Sequence, residues 1–140
     1  MSHKSDTLST ELSLISVFFF MRQNLPVNLV LVRDLMFSSK IAAEGRAQQA
    51  AVEMLRDPQQ LEQRDGSRLI VDLNQQGALD AAAAWKQRTS KPVIGFVSHV
   101  DAATITRARE LGIDQVLARS AFVQQLPTLL AQPPQTEPST

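Results

Sequence analysis

"VNLVLVRDLMFSS" (27–39) is the stretch on which the fold turns. Val27 to Val32 is apolar at every position but Asn28, and rich in the aliphatic side chains that favour strands. A continuous apolar run, as opposed to an alternating one, marks a strand buried on both faces. Arg33 and Asp34 end it. Met36 to about Gln48 then reads as a helix, with Met36, Ile41 and Ala47 as inner candidates. Ser38 and Ser39 are available near its start for free backbone N–H groups. A buried strand that enters a helix through a cation and an acid raises the question of what that pair does.

The alternation continues on the C-terminal side. "AVEML" (51–55) is either a second strand or the end of the first helix. "DPQQLEQ" (57–63) opens with an Asp cap and a Pro at the first helical position, which predicts a short helix. "DGS" (65–67) is a turn, and "RLIVDL" (68–73) is an apolar strand with Asp72 near its C-terminal end. "GALDAAAAWKQR" (77–88) is Ala-rich and strongly helical, with Trp85 a core or edge packing residue. "KPVIGFVS" (91–98) is the fourth strand, opened by Pro92. Asp101 caps "AATITRAREL", and Gly112 stops it with Ile113 placed for a Schellman contact. "DQVLA" (114–118) is the fifth strand. Ser120 is the expected cap of "AFVQQLPTLLAQ", where Phe122, Leu126, Leu129 and Leu130 form a helical stripe and Pro127 predicts a kink or an early end.

Mostly apolar strands alternating with helices predict a parallel sheet covered on both faces. Right-handed crossovers leave few arrangements. Five units of this size suit an α/β, doubly wound, flavodoxin-like sheet of order 2-1-3-4-5, whose ligands bind beyond the carboxyl ends of the strands, at the switch between strands 1 and 3. The residues at those ends are Arg33, Asp34, Asp72, Asn74, Ser98, His99 and Arg119, so the topology gathers the polar candidates into one cleft.

Bulk composition agrees with a single ordinary domain. The chain has 140 residues, 44% of them hydrophobic and 20% charged. Its 14 basic and 14 acidic side chains balance, which favours neither nucleic acid nor an anionic membrane as partner. With no cysteine, thiolate catalysis, thiolate metal sites and disulfides are excluded, and a cytoplasmic location is expected. His3 and His99 are the two histidines, too few for a multi-histidine metal site. Residues 25–131 are expected to form the domain, with 132–140 a frayed, disordered tail and 1–24 an N-terminal extension. "LSLISVFFFM" (12–21) is largely apolar for ten residues, about half of a membrane span. Met21 is the preferred natural start, which makes residues 1–20 an upstream, non-native extension; the alternatives are an extra strand or helix packed on the domain and, last, an export signal.

The carboxylates at neighbouring strand ends suggest divalent-cation binding, acid–base work, or ion pairs with Arg33 and Arg119. Magnesium keeps several waters, so Asp34, Asp72 and a backbone carbonyl near Asn74 would supply enough ligands. An inward Arg33 competes with the metal for those acids. Ser98 is placed to donate to a phosphoryl oxygen, although serines after strands commonly serve turns and caps. His99 has no evident base or nucleophile partner. Arg107, Arg109 and Arg119 suit either an acidic partner or a solvated face. Neither GxGxxG, GxxxxGK[ST] nor GxSxG is present, and the loop after strand 1, "RDLMF", lacks the hydroxyls of a flavin site.

In this order, the features resemble the receiver domain of bacterial two-component response regulators over residues 27 to 131. "VLVRDL" looks like the segment that ends strand 1 in an acidic pair, with Arg33 in the first place and Asp34 in the second. "LIVDLNQQGAL" resembles the segment carrying the phosphoacceptor, which places Asp72 there. Ser98 matches the Ser or Thr after strand 4. Arg119 and Ser120 stand where the family has Lys-Pro, and Val116 stands at the aromatic switch position. In the family, the acidic pair and the phosphoacceptor hold magnesium, and the lysine neutralises the phosphoryl group. The resemblance therefore implies Asp34 and Asp72 as candidate magnesium ligands and Asp72, Ser98 and Arg119 as the candidate phosphoryl site. The segment between helix 1 and strand 3 is short, which predicts a second helix reduced to one or two turns.

Arg33, Arg119 and Val116 depart from that pattern. The favoured expectation is a divergent, pseudo-receiver-like, stand-alone signalling module without enzymatic activity, in which Arg33 takes over part of the metal's role by pairing with Asp72 or Asp34. It would bind a histidine kinase or a downstream signalling protein through the helix after strand 4, strand 5 and the helix after strand 5; a homodimer is a further expectation. The alternative is an active receiver phosphorylated on Asp72 with magnesium in a phosphorelay. A small-molecule-binding flavodoxin-like domain is the third reading.

Overall fold

The computed structural model describes residues 14–17, 25–99 and 101–133. Five strands, β1 (Val27–Leu31), β2 (Ala51–Leu55), β3 (Arg68–Asp72), β4 (Val93–Val97) and β5 (Gln115–Ala118), form one parallel sheet in the order β2-β1-β3-β4-β5. The doubly wound order expected from the sequence is therefore the one observed. The connections are α1 (Leu35–Ala47), a 3₁₀ helix (Pro58–Gln63), α2 (Ala78–Thr89) and α3 (Ala102–Glu110), and α4 (Arg119–Ala131) follows β5. "AVEML" is a strand, paired along its length with β1.

The all-apolar strands are buried on both sides. Leu29, Leu31, Leu69 and Val71 point to one face, with Leu61 of the 3₁₀ helix and Trp85 of α2. Val30, Ile70, Ile94 and Phe96 point to the other, with Phe37 and Ile41 of α1 and Phe122, Leu126 and Leu130 of α4. Phe96 stacks on Phe122 at 4.8 Å between ring centroids and meets Phe37 edge-on at 5.2 Å. Trp85 is a core residue; its Nε1 donates to the Arg64 carbonyl at 3.1 Å.

Several local expectations change. The inner face of α1 is Phe37, Ile41 and Gly45. Met36 is 84% exposed and Ala47 is also exposed. The helix starts at Leu35 under an Asp34 cap, and that start sets which residues, four apart, meet the sheet. Ser38 does not cap; its hydroxyl donates back to the Leu35 carbonyl at 3.1 Å. Ser120 does not cap either. β5 runs directly into α4, with Ala118 in the capping position and no side-chain cap bond. Pro127 does not end α4, which continues to Ala131. Phe122 and Leu126 before it and Leu130 after it are buried against one face, and Arg68 binds the carbonyls of Leu129 (3.0 Å) and Gln132 (3.3 Å). The Asp101 cap and the Gly112 stop are as expected: Gly112 has φ +90°, and the Ile113 N–H reaches the Ala108 carbonyl at 3.0 Å.

The second crossover is indeed reduced, to a six-residue 3₁₀ helix opened by a reciprocal Asp57–Gln60 capping box. The expectations for residues 1–24 and 132–140 fall mostly outside the described residues. Within them, residues 14–17 form a helical turn. Among the described residues no helix is long and apolar enough to cross a membrane.

Candidate functional site

Asp34, Asp72, Asn74, Ser98, His99 and Arg119 stand at or just beyond strand ends on one pole of the sheet. Asp72 is the last residue of β3 and half-buried. Its Oδ1 accepts the Asn74 N–H at 3.0 Å. The Asn74 side chain then crosses to the next strand end, where its Oδ1 accepts the N–H groups of Ser98 (2.6 Å) and His99 (3.1 Å). Leu73 lies on Gly95 of β4; a Cβ there would fall 2.5 Å from Leu73 Cδ1. Gly95 therefore lets the chain after Asp72 descend onto the sheet. Ser98 and His99 are exposed.

Asp34 has two separate tasks. Oδ1 caps α1 by accepting the N–H groups of Met36 (2.9 Å) and Phe37 (3.2 Å). Oδ2 faces Arg119, whose Nη2 is 3.8 Å away. The Arg119 guanidinium lies over the Phe37 ring, its Cζ 3.9 Å from the centroid. The cation of the cleft is thus fixed by an aromatic face from α1 and an acid from the end of β1.

Arg33 does not take the role expected of it. It is exposed, and among the described residues no acid lies within ion-pair distance. Val32 is the last buried side chain of this stretch, and the side chain after it lies in solvent. The pairing expected of Arg33 is made by Arg119.

The field at Asp72 follows from this layout. Burial pushes its carboxyl above the ordinary carboxylate range. The Asn74 N–H and the Arg119 charge pull it back, Asp34 pushes it further up, and His99 draws it down.

The carboxylate oxygens of the cleft already have partners within the chain. Asp34 Oδ1 is committed to the helix cap and Asp72 Oδ1 to the Asn74 N–H. The two remaining carboxylate oxygens share the cleft with Arg119. Among the described residues no three His, Asp or Glu side chains gather as a metal-binding group. What the cleft does hold is a half-buried carboxylate with a raised proton affinity, near a fixed guanidinium.

The roles of two side chains are not legible in the sequence. Arg68 is buried at the opposite pole, donating to Asn28 Oδ1 at 2.8 Å and to the end of α4. Asn74 is a cleft candidate in the sequence through a nearby backbone carbonyl, whereas its side chain is the tie between two strand ends. Neither role has a local signal, because each depends on partners on other elements.

No protein-family model matches the chain, and no curated protein matches it significantly in sequence. Solved structures do. The receiver domain of HemR from Leptospira biflexa, in its non-phosphorylated form, superposes with a TM-score of 0.67 at 16% identity, over 82% of this chain and 99% of that one. A response regulator from Burkholderia pseudomallei, with a phosphorylated aspartic acid, calcium ion and citrate, gives 0.65 at 18% identity, over 76% of this chain and 66% of that one. The Mn(2+)-bound response regulator Rcp1 gives 0.62 at 17% identity, over 76% and 89%. The fold is that of response-regulator receiver domains.

Proposed function

We propose that this chain is a divergent receiver-like signalling module that acts by binding another protein, without the metal-dependent phosphorylation of a standard receiver. The observation that carries the reading is Asp34. It is the one acid left at the end of β1, and it is held as the α1 cap and faced by Arg119. A metal at Asp72 would have to displace a resident cation and draw on single carboxylate oxygens. The partner face is α3, β5 and α4. β5 is a four-residue edge strand with Val116 and Leu117 half-exposed, so this side of the sheet offers apolar surface and unpaired backbone groups. A histidine kinase or a downstream signalling protein is the class of partner that this fold suggests, by analogy.

The second reading is an active receiver phosphorylated on Asp72. It is favoured by the position of Asp72 at the end of β3, with Ser98 just beyond the end of the adjacent β4. Incubation of the full chain with magnesium and a small-molecule phosphodonor, followed by intact mass, separates the two. The expected result is no phosphorylated species. A covalent phosphate that forms on the native chain and is lost in Asp72→Asn would overturn the proposal in favour of the active receiver.

A further inference from the structure

The crossover between β2 and β3 is a six-residue 3₁₀ helix, whereas α1, α2, α3 and α4 have 13, 12, 9 and 13 residues. The short crossover leaves the flank of α2 partly uncovered. A cleft of about 670 Å³ opens there, walled by Pro58, Leu61 and Glu62 on one side and Ala81, Ala84 and Trp85 on the other. That volume is in the range of sites that enclose a small ligand or several side chains, about 300–1,000 Å³. Leu61 and Trp85 at its floor are buried, its open apolar wall is Pro58, Ala81 and Ala84, and among the described residues Glu62 on its rim has no ion pair.

A second surface is also unmatched. In the helical turn 14–17, Leu14, Ile15 and Val17 are 65%, 64% and 54% exposed. They belong to the apolar run "LSLISVFFFM" (12–21), which Arg22 follows. Clustered apolar surface of this kind marks an interaction site.

The chain's own connection brings the two together. Val27, the first residue of β1, exchanges hydrogen bonds with Ser67: its N–H reaches Ser67 Oγ at 3.3 Å, and the Ser67 N–H reaches its carbonyl at 2.8 Å. Three residues before Ser67, the Arg64 carbonyl accepts from Trp85 Nε1 (3.1 Å) and Arg88 (2.9 Å). β1 therefore starts beside the Trp85 end of the cleft. Residues 18–26 can span up to about 30 Å, and α2, at 1.5 Å per residue, is about 18 Å long. The run reaches any point of the cleft.

We propose, in place of the non-native reading of residues 1–20 and in line with its alternative of an element packed on the domain, that residues 12–21 dock in the cleft between the 3₁₀ helix and α2 of the same chain. Their apolar side chains cover Pro58, Ala81 and Ala84, above the buried Leu61 and Trp85, and Arg22 meets Glu62. The run occupies the flank that the short crossover leaves open. The same chain, as opposed to a second copy, is the occupant because a short tether supplies a local concentration of about millimolar.

The absence of cysteine makes the test clean. Val17→Cys in the full chain accepts one nitroxide spin label, and ¹⁵N spectra report on the Trp85 indole and the amides of Ala81 and Ala84. The expected result is a several-fold loss of those signals when label and isotope share a chain. The loss should be relieved by Ala84→Glu, at an exposed helix position, and by Glu62→Arg on the opposite wall. No loss, or a loss that neither variant relieves, overturns the proposal. Loss only when label and isotope are on different chains also overturns it and assigns the cleft to a second copy.

Discussion

At the scale of single residues, the cleft is organised by how Asp34 divides its two oxygens. One holds the start of α1 and the other faces Arg119. The two tasks separate by substitution. Asp34→Ala loses the cap and should cost about 1 kcal/mol. Asp34→Asn keeps an accepting oxygen and loses only the half-exposed ion pair, so its cost should stay below about 0.5 kcal/mol. Chemical denaturation of the two variants checks this, and equal losses would mean that the charge outweighs the cap. Asp72 makes the opposite prediction. Burial raises its carboxyl in the native state, so folding holds that proton more tightly than the unfolded chain does. The stability this group contributes is complete below the ordinary carboxylate range and is lost as pH rises through the raised native value. Asp72→Asn should therefore stabilise the protein at neutral pH, by less than about 1 kcal/mol at this half-buried position. The gain should fade as the solution is acidified. A variant less stable than the native chain at neutral pH would show that the Arg119 and Asn74 contacts to the carboxylate outweigh its burial. The strand-end positions of Asp34, Asp72, Ser98 and Arg119 were legible in the sequence, since the order of apolar runs fixes them. The direction of Arg33 was not, because a residue between a strand and a cap has no period to follow. Nor was the seat of Arg119 on Phe37, which lies more than eighty residues away in the chain.

At the scale of elements, the sequence marked where helices lie better than how they begin. The caps at Asp57 and Asp101 and the stop at Gly112 are local signals and were read correctly. Ser120 misled because β5 and α4 join without a loop, which leaves no capping position for it. Continuation of α4 past Pro127 depends on its buried stripe and on a side chain from another element. Arg68, at the start of β3, donates to Asn28 on β1 and to two carbonyls at the end of α4. It is buried without an acid within ion-pair distance among the described residues, so neutral oxygens and the negative end of the helix hold its charge. Arg68→Met keeps much of the stem's packing and strands the Asn28 and α4 acceptors. A loss of about 1–3 kcal/mol is expected, with amide exchange accelerated first at residues 128–132. An unchanged exchange rate there would show that the stripe alone holds the helix end.

At the scale of the molecule, the two core clusters bind the sheet unevenly. β1, β3 and β4 are interior strands, covered by apolar side chains on both faces and paired on both edges. β5 is a four-residue edge strand, half-exposed, and α3 beside it has a single buried side chain, Ala108. Few buried contacts and exposed backbone bonds lower the free energy of local opening. Native-state hydrogen exchange should accordingly find two classes of amide. Those of β1, β3 and β4 should exchange only through global unfolding. Those of α3 and β5 should exchange through a smaller opening, at least about tenfold faster, which corresponds to about 1.4 kcal/mol. Uniform protection across all five strands would contradict this. The same edge is the proposed partner face, and the two ideas meet in one measurement. A protein that docks on α3, β5 and α4 stabilises the closed state there and should slow exchange in β5 toward that of β4. Magnesium with a phosphoryl mimic, which acts at the Asp72 pole, should leave β5 unchanged if the cleft is the cation-filled site described above.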